Sequence, residues 1–260
     1  MKKTIGRKGA MYLHAKNSRT GTEAIAVNNV TKRYGKKTAI ENVSFTAQPG
    51  RVTGFLGPNG AGKSSTLRIL LGLDFPTSGT ALIEGKPFVN HRQPLRTVGA
   101  MLDGAAAVLE RRGIDHLKWI AESNRIPKER IVQVLEMVGL SNAAKARVKK
   151  YSLGMKQRLG LAAALLGEPR ILILDEPVNG LDPEGIRSVR RLLQDYARNG
   201  NTVLLSSHLM DETSKIVDDI VIINNGKIID SGSLEEVVAD HDSLEEAFFA
   251  LTGIKSEESW

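Results

Sequence analysis

Two short stretches of this 260-residue chain carry residue types that can handle a polyphosphate. Gly57-Pro58-Asn59-Gly60-Ala61-Gly62-Lys63-Ser64 fits the pattern G-x-x-x-x-G-K-[ST]. Glycines at this spacing let the backbone turn so that successive N–H groups face inward around a phosphate. A helix beginning there adds partial positive charge. Lys63 can reach the terminal phosphates, and the Ser64 hydroxyl is a hard oxygen donor for Mg²⁺. The second stretch, Ile171-Leu172-Ile173-Leu174-Asp175-Glu176, is an apolar run ending in two acids. Asp175 suits Mg²⁺, directly or through water. Glu176 is suited to accept a proton from, or orient, an attacking water. Together these residues imply a nucleoside triphosphate site, and Glu176 favours hydrolysis over binding alone.

Such residues meet only if strands deliver them to one edge. Val52–Leu56 reads as a short strand running into the glycine-rich loop, and a helix follows from Lys63 to Leu71. Ile25–Val30, Val43–Thr46 and Val98–Leu102 read as further strands, and Thr80–Ile83 with the turn at Glu84–Gly85 reads as a hairpin. From about residue 105 to 168 the apolar residues fall at helical spacing, as in Ile131, Val134, Leu135 and Val138. Strand–helix alternation then returns. Ile171–Leu174, Val203–Ser206 and Ile220–Ile223 are apolar runs of the kind buried in a parallel sheet, with a helix over Gly185–Arg198. The pattern is an α/β core interrupted by a helical insertion, with β-rich sequence near the N-terminus. Ligands bind beyond the carboxyl ends of parallel strands, so Asp175 belongs beside the glycine-rich loop.

Composition bounds the reading. The chain is 41% hydrophobic and 25% charged, which excludes a disordered, collagen-like or coiled-coil chain. It has no cysteine, which removes disulfides, thiolate metal sites and cysteine nucleophiles. No apolar run approaches the ~18–20 residues of a membrane helix, so any spanning falls to another subunit. The net charge is +7, and six of those seven excess charges lie in residues 1–22. That basic stretch reads as a flexible, solvated extension, or as an electrostatic contact to lipid headgroups or RNA.

The chain resembles the ATP-binding subunits of ATP-binding cassette (ABC) transporters over roughly residues 23–235. Tyr151-Ser152-Leu153-Gly154-Met155-Lys156-Gln157-Arg158 resembles the family's signature motif, and His208 follows a strand where the family has its switch histidine. The resemblance implies a P-loop NTPase α/β core with an N-terminal antiparallel β-region and a helical subdomain. The divisions it implies are a basic extension over 1–22, an ATPase domain over 23–240 with its insertion at about 105–165, and a short helical tail over 241–260. The implied ligands are ATP and Mg²⁺. ATP would rest on Gly57, Pro58, Asn59, Gly60, Ala61, Gly62, Lys63, Ser64 and Ser65, with Tyr34 stacked on adenine. Mg²⁺ would be held by Ser64 and Asp175, with Asp103 standing where the family usually has glutamine. Catalysis would fall to Glu176, His208 and Lys63. The family pairs two cassettes head to tail, so Ser152 and Gly154 of one copy would meet the ATP of the other, and Asp182 would couple the two sites. Ser152 and Asp182 are also good helix N-caps in their own right. Leu153, Met155 and Ser65 depart from the commonest family residues. The Ser-Leu-Gly-Met-Lys-Gln form and the stretch Ser243-Leu244-Glu245-Glu246-Ala247-Phe248-Phe249 are similar to subunits of drug, antibiotic and bacteriocin-type exporters.

The expectation is an ATPase that dimerises on ATP, preferably with itself. It would power a separate membrane permease from the cytoplasmic face of the cell membrane, with no nucleic acid as partner. The alternative is a soluble ABC-type ATPase acting on ribosomes or nucleic acid, which the basic extension favours and the single cassette opposes. A GTPase or small-molecule kinase would leave the signature and His208 unexplained, and the chain has no Asn-Lys-x-Asp guanine-reading sequence.

Overall fold

The computed structural model describes residues 23–102 and 107–253. Nine strands and nine α-helices follow one another among them. The N-terminal part contributes β1 (Ile25–Tyr34), β2 (Lys37–Ala47), β3 (Val52–Leu56), α1 (Lys63–Leu70), β4 (Ser78–Ile83), α2 (Pro94–Thr97) and β5 (Val98–Met101). A helical stretch supplies α3 (Gly113–Ser123), α4 (Glu129–Met137) and α5 (Leu153–Leu165). The remainder is β6 (Ile171–Asp175), α6 (Pro183–Arg198), β7 (Thr202–Ser207), α7 (Met210–Ser214), β8 (Asp219–Asn224), β9 (Lys227–Ser233), α8 (Leu234–Val238) and α9 (Leu244–Thr252).

The strands form two sheets. One is antiparallel, in the order β2-β1-β4. The other runs β5-β6-β7-β3-β8-β9, parallel except for the edge strand β9. Period-two alternation explains how the larger sheet is covered on both faces. Leu172, Leu174, Val203, Leu205, Ile220 and Ile222 enter a core shared with the helical stretch, α6 and α9. Their neighbours Ile171, Ile173, Leu204, Val221 and Ile223 enter a second core with α1 and the antiparallel sheet. Each strand therefore reads as a continuous apolar run.

One sequence expectation changes. Glu84 and Gly85 do turn, with φ of 47° and 74°, but no hairpin strand follows. Only an isolated bridge from Ile83 to Lys86 forms, and β4 pairs with β1 instead. Pro87 comes next and lacks the N–H a ladder needs. Residues 1–22, Asp103 and the last residues of the tail lie outside the described residues.

Candidate functional site

Three adjacent parallel strands end level with one another. Leu56 of β3 pairs with Ser207 of β7, and Asp175 of β6 pairs with Ser206 of β7. The residues that follow are Gly57, Glu176 and His208, so register alone brings the glycine-rich loop, the acids and the histidine to one edge.

The loop needs its glycines. A Cβ on Gly57 would stand 2.3 Å from the Ile223 carbonyl oxygen. Gly62 has φ of 112°, and a Cβ there would stand 2.5 Å from Ile40 Cγ2. Lys63 opens α1 and is buried, with 6% of its surface exposed. Its ammonium donates to the carbonyls of Gly57 at 2.6 Å and Pro58 at 3.2 Å, and lies 3.7 Å from Glu176 Oε1. Burial pulls the Lys63 pKa down, against the opposing pull of Glu176 and Asp175. The cation is thus held inside the loop's own ring of carbonyls, where an anionic ligand would compete for it.

Asp175 is buried between two hydroxyls. Ser64 Oγ donates to its Oδ2 at 2.8 Å, and Ser206 Oγ donates to its Oδ1. Glu176 takes a left-handed backbone, φ 50°, uncommon for a non-glycine residue. Its amide donates to the Ser206 carbonyl and hydroxyl, both at 3.2 Å, and its carbonyl accepts from Gln157 Nε2 at 2.7 Å. The turn is pinned from both sides. The Glu176 carboxylate then points its Oε1 at His208 Nδ1, 2.9 Å away. Its Oε2 is buried with no hydrogen-bond partner among the described residues.

These groups line a cleft of about 880 Å³, ample for a nucleotide. Asn59, Gly60, Gly62, Lys63, Ser64, Ser65, Asp175 and Glu176 form its floor, and Tyr34 one wall. Gly57, Pro58 and Ala61 support it from behind, through the carbonyl acceptors of Lys63 and the Ala61 amide bonded to Pro58. His208 reaches it through Glu176. Behind His208, Phe248 and Phe249 of α9 close a void of only about 10 Å³ with Gly57, Pro58, Asn59 and Met210.

Besides Gly57, Pro58, Ala61 and His208, three predicted residues are not among the cleft-lining residues. Ser152 is exposed and caps α5, accepting from the Met155 amide at 3.1 Å. Asp182 caps α6, accepting from the Gly185 amide at 2.8 Å. Gly154 packs against the turn at Gly180 and Leu181. The signature helix nevertheless reaches the rim through Leu153 and Gln157. Ser206 and Gln157 were not singled out for these roles in the sequence, because a strand register and a helix contact create them.

Among the described residues no group of three or more acids and histidines could hold a metal. Mg²⁺ needs no such cage, since it is bound by one or two carboxylates together with substrate phosphates and water. The Ser64 hydroxyl beside the Asp175 carboxylate fits that donor set.

A sequence model of the ABC transporter family matches residues 40–179. The lantibiotic transport ATP-binding protein SrtF of Streptococcus pyogenes is 39% identical over 224 residues, 86% of this chain and 95% of that one. The bacitracin transport ATP-binding protein BcrA of Bacillus licheniformis is 42% identical over 220 residues, 84% of this chain and 70% of that one. Among solved structures, an ATP-binding subunit of an ABC transporter superposes with a TM-score of 0.79 at 26% identity, covering 88% of this chain and 99% of that chain. A dimeric cassette in a post-hydrolysis state with ADP and phosphate shares the fold, with a TM-score of 0.73 at 23% identity over 81% of this chain and 98% of that chain. With the phosphate loop, the paired acids and the histidine gathered on one edge, and relatives of this coverage, the chain belongs to the ABC transporter family, as an ATP-binding and ATP-hydrolysing subunit.

Proposed function

We propose that this subunit hydrolyses Mg²⁺-ATP with Glu176 as the general base, and that it powers the export of peptide antibiotics through a separate permease. The observation that carries the catalytic assignment is the Glu176 carboxylate, with one oxygen 2.9 Å from His208 Nδ1 and the other buried with no hydrogen-bond partner among the described residues. An unpartnered buried acceptor is unfavourable unless something donates to it, and the attacking water is that donor. Glu176 Oε2 takes the proton of the water as the water oxygen bonds to the γ-phosphorus and the bond from that phosphorus to the β–γ bridging oxygen breaks, releasing ADP and phosphate, while His208 stands 2.9 Å from the other carboxylate oxygen. Lys63 exchanges its loop carbonyls for phosphate oxygens. Ser64 and Asp175 would hold Mg²⁺, which supplies charge neutralisation at the phosphates. Asp103 is assigned as a further Mg²⁺ ligand on the resemblance alone.

Tyr34 on the cleft wall supports stacking on adenine. The exposed, capped start of α5 supports a second copy bringing Ser152 and Gly154 to the ATP, with Asp182 at the junction. The names of the relatives, lantibiotic and bacitracin transport ATP-binding proteins, support the antibiotic cargo and favour transport over work on ribosomes or nucleic acid. No helix of the described residues is long and apolar enough to cross a membrane. The names of the relatives support a place at the cytoplasmic face, held there by a permease.

Light scattering on Glu176→Gln tests this. With Mg²⁺-ATP the variant is expected to be a stable dimer with hydrolysis lowered at least ~100-fold, and a monomer without nucleotide or with EDTA. A variant that hydrolyses ATP at the wild-type rate would remove Glu176 from its role. A persistent monomer that binds ATP would count against self-pairing.

A further inference from the structure

Tyr34 is held by a network that the reaction chemistry does not account for. Alternation along β1 places Lys32 and Tyr34 on the same face of the strand. Both reach Asp74, in the loop just beyond α1. The Tyr34 hydroxyl donates to Asp74 Oδ2, and Lys32 Nζ donates to Asp74 Oδ1 at 2.5 Å. Lys32 also donates to the Phe75 carbonyl at 2.7 Å, and the Phe75 amide donates back to Asp74 Oδ1 at 2.8 Å. Both Asp74 oxygens are therefore engaged.

Two backbone contacts zip the same loop to β1: the Thr77 amide donates to the Thr31 carbonyl at 2.7 Å, and the Arg33 amide to Thr77 Oγ1 at 3.0 Å. Lys32 Nζ stands 4.8 Å from the centre of the Tyr34 ring, close enough for a cation–π contact that covers one face. Lys32 itself is largely covered, with 13% of its side chain exposed, while Tyr34 remains 48% exposed.

The connection to α1 gives this network its meaning. α1 begins at Lys63 in the phosphate loop and runs to Leu70, and Leu71, Gly72 and Leu73 lead from it to Asp74. One end of a rigid helix holds the phosphates, and the loop at its other end holds the aromatic ring.

We propose that Lys32 and Asp74 are positioning residues that clamp the Tyr34 ring, fixing its plane and its distance from the phosphate loop so that a purine stacks on its uncovered face. This rests on the assignment of Tyr34 as the adenine platform. The clamp acts on the base end of the nucleotide alone. Its loss weakens MgATP binding and leaves recognition of the triphosphate intact.

The test compares binding of MgATP with binding of magnesium tripolyphosphate, which has no base, by calorimetry on the full chain. Rate at saturating MgATP is measured alongside. Asp74→Ala and Tyr34→Phe are each expected to raise the MgATP dissociation constant about fivefold, the scale of one net intramolecular hydrogen bond. In Asp74→Ala, tripolyphosphate binding and the saturated rate stay within about twofold. The double variant is expected to bind no more weakly than either single one, because both remove the same contact. Lys32→Met, which leaves Asp74 in place, gives an independent arm with the same direction.

Equal weakening of both ligands would reduce the network to a structural brace and overturn the clamp. Unchanged MgATP binding in both Asp74→Ala and Lys32→Met would also overturn it, as would a double variant whose loss is the product of the single losses. Tyr34→Ala separates the two levels. If that variant binds MgATP normally, the adenine platform itself falls. If it binds weakly while Asp74→Ala does not, only the clamp falls.

Discussion

Ser206 shows how much of the site depends on side chains that do no chemistry. Its hydroxyl donates to Asp175 Oδ1 and accepts from the Glu176 amide, so one buried oxygen orients both acids. Replacing Ser206 by alanine leaves an Asp175 oxygen buried and unsatisfied, which destabilises the fold by about 1–3 kcal/mol. Groups that orient ligands and acids typically carry about 10–100-fold in activity. Ser206→Ala is therefore expected to lower the rate at saturating ATP by about tenfold, with MgATP affinity changed much less. Steady-state ATPase assays and a melting curve check both parts. Lys63, Ser64, Asp175 and Glu176 were legible in the sequence because each belongs to a contiguous motif whose spacing is its own signature. Ser206, Gln157 and Asp74 were not, because their partners lie 31, 19 and 40 residues away in the chain. No local spacing encodes a parallel register or a loop folded back on a strand.

At the scale of elements, the fully buried strands were the most legible. β3, β6, β7 and β8 each bear unbroken or nearly unbroken buried residues on both faces. The edge strand β9 was missed because Lys227–Ser233 mixes Gly, Asp and Ser with two isoleucines, and its pairing with β8 outweighs weak strand preference. The helical stretch contains a feature with a measurable consequence. His116 on α3 is buried, and its Nδ1 lacks a hydrogen-bond partner among the described residues. Burial first, and then Arg111, hold its pKa below the ordinary histidine value. As pH falls through about 6.5 the unfolded chain takes up a proton that the folded chain refuses, so stability is lost on acidification. His116→Leu removes that uptake. The wild-type melting temperature is expected to fall more steeply than the variant's between about pH 7.5 and 5.5, with the two curves closest at the upper end. Thermal unfolding across this range is the check, and parallel curves would remove His116 as the cause.

For the whole molecule, the cleft is open along a rim where Leu153 stands 63% exposed. A leucine so exposed at the start of a capped helix suits a surface that a second copy covers. Introducing charge there would desolvate a carboxylate in the joined state and leave the monomer little changed. Leu153→Asp, placed in the Glu176→Gln background, is expected to abolish the ATP-dependent dimer and leave a monomer that still binds MgATP, more weakly because dimerisation and binding are linked. Light scattering and calorimetry on the same sample separate the two effects. The arrangement around the phosphate loop also bears on the order in which the protein is made. Tyr34 comes from the first strand, the acids from the middle of the chain, and the wall behind Pro58, Asn59 and His208 from Phe248 and Phe249 of the last helix. Chains emerge from the N-terminal end during synthesis. In a nascent chain β3 gains its sheet neighbours β7 and β8 only once residue 224 has been made, and the back of the phosphate loop closes only when residues 244–252 have been added, so translation itself delays an enclosed nucleotide site well beyond synthesis of the loop.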